Sequence, residues 1–504
     1  MSDMPKCCIV LPGFNIFVDR VLPQTTLSLT SSDEQFTPDY FVTLSRQVSA
    51  QGPHYDAGTP NYLGARIPLS HNRLNIKAWR KHLVGYENCE ILQFLEFGFP
   101  LGLQQNPPPT LENTLQNHGS AYRHYSDIDE FLCKGLNNRE MAGPFRTPPF
   151  TNTHISPLMT APKKPNARRT VFDASFGQGS LNKNTPEEYY PSPCEYNFPQ
   201  VDDFKDLITT AGQGCFIWKR DLSRYYLQMP LDPLDYPRVG FIWRARFYFF
   251  TSLMFGLKHS GPQGQRASSA ITWIHRRMGL ETPENKPFCS LNYSDDIGGC
   301  VKDKERSFQS YTALGLLFEK LNLHESLSKA HPPSTSMPYL GVTFDTVTMT
   351  MSIPAEKLEE LRETLSLWSR KKRTSKKNLQ KLLGKLVWVS RCVKHSRGFM
   401  ARLLAQLREL HHLPDNVTRI LPEGCKEDIQ WWSRYVRRFN GVEIMFPEEP
   451  LLLPPDELIA LGANVCCGDA QLNGGGAFFN NKFWSREFPE WLLGETTPIH
   501  LKEF

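Results

Sequence analysis

The plainest periodicity lies between residues 358 and 389. In EKLEELRETLSLW, Leu358, Leu361, Leu365 and Trp368 recur at spacings of 3, 4 and 3, which places them on one helical face. In SKKNLQKLLGKLVWVS, Leu379, Leu382, Leu383, Leu386 and Val389 form a second such stripe, with Thr374 or Ser375 as its N-cap. Residues 354–440 therefore read as helices. Residues 65–345 alternate short strand-like and helical runs, an α+β pattern. The proline-rich stretch FPEEPLLLPPDE ends the helical zone, and strand patterning returns over 461–504. Residues 1–64 are weakly patterned, broken by Gly and Pro in QGPHYDAGTPNY, and stay unassigned.

Two places break the hydrophobic logic. LNYSDDIG, residues 291–298, sets Asp295 and Asp296 between apolar flanks. The pattern suits a β-hairpin with the acids near its turn, where carboxylates are costly unless they meet cations. A second pair, Asp202 and Asp203 in FPQVDDFKDL, sits in a more polar run and reads as a turn or helix start. Adjacent acids alone are thus weak evidence. In CFIWKRDLSRYYLQMPLDP, Cys215 to Trp218 read as an apolar strand, and Asp221 comes at its end. Alone, Asp221 reads by default as a helix N-cap. With Asp295 it supplies two carboxylates on separate strands, the donor set of a two-metal site for phosphoryl chemistry; Mg²⁺ prefers such oxygens.

Size, charge and cysteine usage narrow the class. At 504 residues the chain is too long for one core, so two to four domains are expected. No apolar run reaches the ~18 residues of a membrane span, and the N-terminus lacks a signal-peptide layout. None of the twelve cysteines forms a CxxC pair, which disfavours a zinc knuckle. An intracellular, reducing location is expected, cytoplasmic or nuclear. The net charge of +5 hides an asymmetry: residues 354–440 hold twenty Lys and Arg against nine Asp and Glu. Residues 364–408 hold thirteen basic side chains and no acid, densest at SRKKRTSKK, where Lys371, Lys372, Arg373, Lys376 and Lys377 fall. Such a field suits a polyanion along an extended surface. A solvated face or a nuclear-targeting patch is the plainer alternative. No Walker-type loop, Ser-His-Asp order or Cys-His order is present, and the adjacent His411 and His412 do not share a helix face.

KRDLSRYYLQMPLDP, FFTSLMFGLKHSGPQGQ, LNYSDDIGG and MPYLGVTFDT occur in that order. They resemble the successive palm motifs of reverse transcriptases. Upstream, APKKPNARRTVFDASFGQGSLNKNT resembles the fingers segment. Downstream, LQKLLGKLVWVSRCVKHSRGFMARL and KEDIQWWSRYVRRFNG resemble the helical region of DIRS-like, tyrosine-recombinase retrotransposons, and VCCGDAQLNGGGAFF resembles the start of their ribonuclease H domain. The resemblance spans roughly residues 65–504. It implies an α+β right-hand polymerase: fingers and palm over 65–345, a helical thumb and connection over 346–455, then an incomplete ribonuclease H-like α/β fold over 461–504.

The resemblance also implies roles. Asp221, Asp295 and Asp296 match the catalytic carboxylates, with Asp221 and Asp295 as ligands of two Mg²⁺ ions, or Mn²⁺, and Asp296 supporting. Tyr226 matches the aromatic gate that crowds a ribose 2′-hydroxyl; ordinary packing is the alternative. Lys164 and Arg169 match the triphosphate grip, Phe255 and Gly256 the wall at base and sugar, and Lys329 the lysine that serves the leaving pyrophosphate. The implied partners are an RNA template, a DNA primer, dNTPs and an element-encoded tyrosine recombinase, with no membrane.

There are departures. FGLKHSGP is one residue longer than the usual loop, and Arg224 and the bulky Tyr225 replace smaller residues, which puts Tyr225 beside the nucleotide. Asp469 and Glu503 match ribonuclease H carboxylates, but the later ones are absent, so no ribonuclease H activity is expected. The competing reading is a nucleic-acid-binding protein that keeps the basic segment and does no polymerisation.

Overall fold

The computed structural model describes residues 72–88, 90–101, 116–150, 153–164, 167–177, 179–185, 198–393, 396–415, 417–438 and 440–444, together with Thr43 and the strand backbones 7–11, 14–18, 55–56, 59–60, 466–470, 474–479 and 482–487. By contact the chain divides into two units: residues 1–200 with 218–333, and residues 201–217 with 334–504.

The first unit is α+β. Its longer helices are α1 (Ile76–His82), α2 (Glu90–Phe97), α3 (Tyr125–Asn137), α4 (Ser260–Met278) and α5 (Lys304–Leu321). Its strands beyond residue 100 are β1 (Met141–Phe145), β2 (Leu158–Lys164), β3 (Ala167–Phe172), β4 (Phe216–Asp221), β5 (Gly240–Trp243), β6 (Arg246–Phe250), β7 (Ser290–Tyr293), β8 (Asp296–Val301) and β9 (His331–Ser334). The central sheet runs β7-β8-β4-β9, and a second runs β1-β6-β5. The β2–β3 hairpin pairs Leu158 with Phe172 and Ala161 with Arg169. One apolar core unites them: Trp79, Phe94, Phe99, Ile128, Trp218, Phe241, Phe250, Ile271 and Leu317 are all buried. The core has a polar seam. His275 is fully buried, sandwiched between Ser290 Oγ and the Ser310 carbonyl, and burial pushes its pKa down to about 4.

α4 runs from Ser260 through GPQGQRASSAITWIH, and its small residues let it press against the sheet. A Cβ on Gly264 would come within 2.5 Å of the Tyr226 ring. Arg266 reaches across to Glu90 on α2 at 2.8 Å, which ties the N-terminal helices to this unit.

The second unit contains the helix Val201–Ala211, with Asp202 and Asp203 in its first turn. The sheet β10 (Ser336–Tyr339), β11 (Val342–Asp345), β12 (Thr350–Ser352) and β15 (Val442–Glu443) packs there, Phe204 meeting Tyr339 and Phe344 at ring distances of 4.5 and 5.1 Å. The helices are α6 (Ala355–Ser369), α7 (Lys376–Val389), α8 (Ala401–Glu409) and α9 (Glu423–Tyr435). Both predicted leucine stripes are buried, and Ser375 caps α7 by accepting from Asn378 N–H at 3.4 Å.

The basic stretch departs from the all-helix expectation. Residues 373–375 form a short strand, β13, antiparallel to β14 (Thr418–Ile420). Lys371, Lys372 and Arg373 therefore lie off the helices, and only Lys376 and Lys377 open α7. β-branched Thr374 faces Arg419 across the ladder and is buried. A partner strand more than forty residues away outweighs the helical propensity of the lysines. In the C-terminal strand backbone, Asp469 pairs with Gly476. The Asp469 side chain, Glu503 and most of 1–64 lie outside the described residues.

Candidate active site

Asp221 ends β4 with its side chain only 3% exposed. β7 and β8 pair Tyr293 with Asp296 and leave Ser294 and Asp295 as a two-residue turn, so the expected hairpin is present. Ser294 takes φ +53°. The two segments meet through the backbone: Leu222 N–H donates to the Asp295 carbonyl at 3.0 Å. Asp221 and the acid pair thus stand together at one end of the central sheet.

Burial and neighbouring negative charge raise the pKa values of the two turn carboxylates. Burial pushes the Asp295 carboxyl up, and the Asp221 charge adds to it. Burial likewise lifts Asp296 to about 6; Lys219 pulls it down, and Asp221 and Asp295 push it up again.

The positive charge that meets them is Lys329. Its ammonium donates to both oxygens of Asp221, at 2.8 and 2.9 Å. Burial lowers the Lys329 pKa, but the Asp221 hydrogen bond and charge outweigh it and raise it overall. The loop carrying Lys329 is stitched to the sheet: Ser326 N–H donates to the Asp221 carbonyl, Ser223 N–H to the His324 carbonyl, and Leu222 bridges Glu325. Arg220 pairs with Glu325 at 2.6 Å and lies over the Tyr311 ring.

These residues suit a hard divalent ion in their donor chemistry: all oxygen, all carboxylate, with a cation already seated on Asp221. Among the described residues no group of three His, Cys, Asp or Glu side chains is close enough to hold an ion unaided. An ion held by one or two carboxylates completes its shell with water and phosphate oxygens.

Beside the acids stands an aromatic wall. The Tyr226 hydroxyl hydrogen-bonds Ser294 Oγ at 3.0 Å, and its ring meets the 45%-exposed Phe255 edge-on at 4.8 Å. Burial raises the Tyr226 hydroxyl above the ordinary tyrosine value, so it stays protonated. Gly256 follows at φ +107°, where a Cβ would lie 2.3 Å from the Phe172 carbonyl oxygen; only glycine fits. That contact sets the Phe255 loop against the end of β3. Arg169 is exposed on β3, three residues before Phe172. Lys164 ends β2, its backbone opposite Ala167, and its side chain lies outside the described residues.

One placement is a correction. Tyr225 does not stand beside an open nucleotide space. It is 1% exposed and donates its hydroxyl to the Gly264 carbonyl at 2.6 Å, because the turn after Asp221 aims it into α4. Arg224 adopts φ +50° and forks onto the buried Glu140.

Several residues that shape the site were not singled out from sequence. Gln265 accepts from Ser294 N–H at 2.8 Å and donates to the Asn292 carbonyl at 3.1 Å, bracing the β7 side of the acid turn. Asn182 donates to the Gly256 carbonyl at 2.7 Å and accepts from Lys258 N–H at 2.9 Å. Nothing in the sequence separates Gln265 from its neighbour Gln263, which is buried as well.

In the second unit Lys371 lies over Trp368 at 4.2 Å, Arg373 donates to the Thr418 carbonyl at 3.1 Å, and Lys376 to the His411 carbonyl at 3.1 Å. Lys372 and Lys377 are exposed. Among the described residues no helix is long and apolar enough to cross a membrane.

No protein-family model matches the chain. Solved structures resemble it. The foamy viral protease-reverse transcriptase dRH in complex with double-stranded DNA superimposes with TM-score 0.55 at 13% identity, over 88% of this chain and 72% of that one. The foamy viral protease-reverse transcriptase with an RNA/DNA hybrid gives 0.51 at 15% identity, over 87% and 55%. The same protein with double-stranded DNA gives 0.51 at 14%, over 86% and 84%. At this identity the likeness is one of fold: the chain has a reverse-transcriptase-like fold.

Proposed function

We propose that the chain is an RNA-directed DNA polymerase that joins a dNTP to a primer 3′-hydroxyl. The observation that carries the reading is the gathering of Asp221, Asp295 and Asp296 around one lysine, walled by Tyr226 and Phe255, on a reverse-transcriptase-like fold. Asp221 and Asp295 would hold the two Mg²⁺ or Mn²⁺ ions, and Asp296 supports them. Bound there, such ions would supply the positive charge that activates an attacking hydroxyl and braces a leaving pyrophosphate. Tyr226 blocks the 2′-hydroxyl of a ribonucleotide. Phe255 and Gly256 line the base and sugar, and Arg169 and Lys164 grip the triphosphate through charge-assisted bonds. Lys329 offers its proton and charge to the departing pyrophosphate. Lys371, Lys372, Arg373, Lys376 and Lys377 hold the template–primer backbone, which fixes position without reading sequence. The neighbours' complexes with DNA and with an RNA/DNA hybrid fit an RNA template and a DNA product.

We infer further that the chain comes from a DIRS-like retroelement, working with its tyrosine recombinase, and that residues 461–504 open a ribonuclease H-like fold in which Asp469 and Glu503 match its carboxylates. The decisive test is primer extension on poly(rA)/oligo(dT) with Mg²⁺ or Mn²⁺. Extension by the wild type, abolished in Asp295→Asn with template–primer binding retained, supports the reading. A wild type that binds the duplex but never extends it establishes the non-catalytic binding protein instead.

A further inference from the structure

Lys329 does more than stand near the acids: both oxygens of Asp221 are already committed to its ammonium, at 2.8 and 2.9 Å. A divalent ion binding Asp221 needs an oxygen at ~2.0–2.1 Å. The lysine occupies the bidentate approach shared by both oxygens, and its charge repels an arriving cation. The two ends of the pair differ in setting. Asp221 is 3% exposed, whereas the Lys329 side chain is 52% exposed. The carboxylate is therefore fixed and the ammonium has water to move into.

The backbone around the lysine does not share that freedom. Lys329 N–H donates to the Ser326 carbonyl at 2.9 Å, and Ser326 N–H donates to the Asp221 carbonyl at 2.8 Å. The lysine leaves by turning its stem, with its attachment point held in place. The carboxylates acting on this spot are Asp295, Asp296 and Glu325; Lys219 acts on Asp296, and Arg220 is paired with Glu325. Without Lys329, Asp221 would have no cation bonded to its carboxylate among these.

We propose that Lys329 is a built-in counter-cation of Asp221 which a divalent ion must displace, so that this side chain sets the divalent-ion affinity of the site. The inference rests on the reading of Asp221 and Asp295 as metal-holding carboxylates. It goes beyond that reading because it assigns the lysine a role before any nucleotide is present. While the site is empty of metal, the lysine neutralises a carboxylate that would otherwise be buried and unpaired. Once displaced, it remains within a stem's length of the place where pyrophosphate departs.

The test is direct binding of Mn²⁺ to the full chain, with free Mn²⁺ counted by electron paramagnetic resonance and no nucleic acid or nucleotide present. Lys329→Met keeps the stem and removes the charge. It should bind Mn²⁺ about fivefold more tightly than wild type, the scale of losing one half-exposed ion-pair competitor. Lys329→Arg keeps the charge and should stay within about twofold of wild type. Melting without metal checks that each variant is folded, and Lys329→Met should recover any lost melting temperature when Mn²⁺ is added. Equal affinity in wild type and Lys329→Met overturns the proposal, as does weaker binding in Lys329→Met or no Mn²⁺ binding in any of the three. Primer extension is scored separately: failure to extend with the affinity pattern intact defeats the polymerase reading and leaves the counter-cation standing.

Discussion

Gln265 is the strongest single test of how the acid turn is held. Its side chain is buried, and its two amide atoms serve two backbone groups, Ser294 N–H at 2.8 Å and the Asn292 carbonyl at 3.1 Å. Gln265→Leu nearly conserves volume, so little cavity forms. The change leaves a donor and an acceptor without this partner beside the turn. Each buried group so stranded costs about 1–3 kcal/mol, and together about 2–4 kcal/mol once the turn relaxes. For a unit of this size that corresponds to a fall of roughly 5–15 °C in melting temperature, at ~2–4 °C per kcal/mol. The loss should also reach Asp295, whose backbone follows Ser294, so primer extension should fall more steeply than the folded fraction does. Urea and thermal melts of Gln265→Leu and Gln265→Glu, paired with extension at a temperature where both are folded, provide the measurement. Gln265→Glu keeps the acceptor for Ser294 N–H and should retain more stability than Gln265→Leu. Stability of Gln265→Leu within about 0.5 kcal/mol of wild type, the range of an unremarkable surface change, would refute the bracing role.

Three further outcomes are expected. Tyr226→Ala should raise ribonucleotide incorporation relative to deoxynucleotide incorporation; an unchanged ratio in single-nucleotide extension would make the ring ordinary packing. Without metal, Asp296 keeps its proton up to about pH 6 when folded and releases it near the usual aspartate value when unfolded, so its burial costs stability increasingly as pH rises from about 4 to 6. Buried His275, held down to about 4, has the opposite slope there, so the readout is the difference: Asp296→Asn should gain stability on wild type across that window, and a flat difference would contradict it. Changing Lys371, Lys372 and Arg373 together to Ala should weaken template–primer binding alike for all sequences and cut the log–log salt slope by about 2–3, at ~0.7–0.9 per phosphate contact; an unchanged slope in filter binding would remove these residues from the interface.

Local patterns were legible where a short window carried the whole physics. The leucine stripes of α6 and α7 needed only helical spacing, and the Ser375 cap only its neighbour Asn378. The hairpin at Asp295 was legible because apolar flanks and a polar turn sit within eight residues. Contacts between distant residues were not. Lys329 reaches Asp221 across 108 positions and Arg224 reaches Glu140 across 84. No periodicity announces such pairs. Tyr225 and Tyr226 show the limit most sharply: adjacent and alike in sequence, they part company because one hydroxyl finds the Gly264 carbonyl and the other Ser294. The strand at Arg373 was missed for a related reason, since its partner Ile420 lies forty-seven residues on and only the ladder makes it a strand.

The stitched loop around Lys329 also sets a clock. Because Ser326 pins the backbone to Asp221 at the end of β4 and His324 pins it to Ser223 just beyond, freeing Asp221 of its lysine requires only rotations about the bonds of one stem. Rotamer changes of exposed side chains take picoseconds to nanoseconds, whereas loop rearrangements extend to microseconds. Giving up the lysine and taking it back would then be far faster than a catalytic turnover of ~1–1000 per second. If Asp221 holds a metal ion as proposed, the lysine's departure would not be the slow step of that exchange.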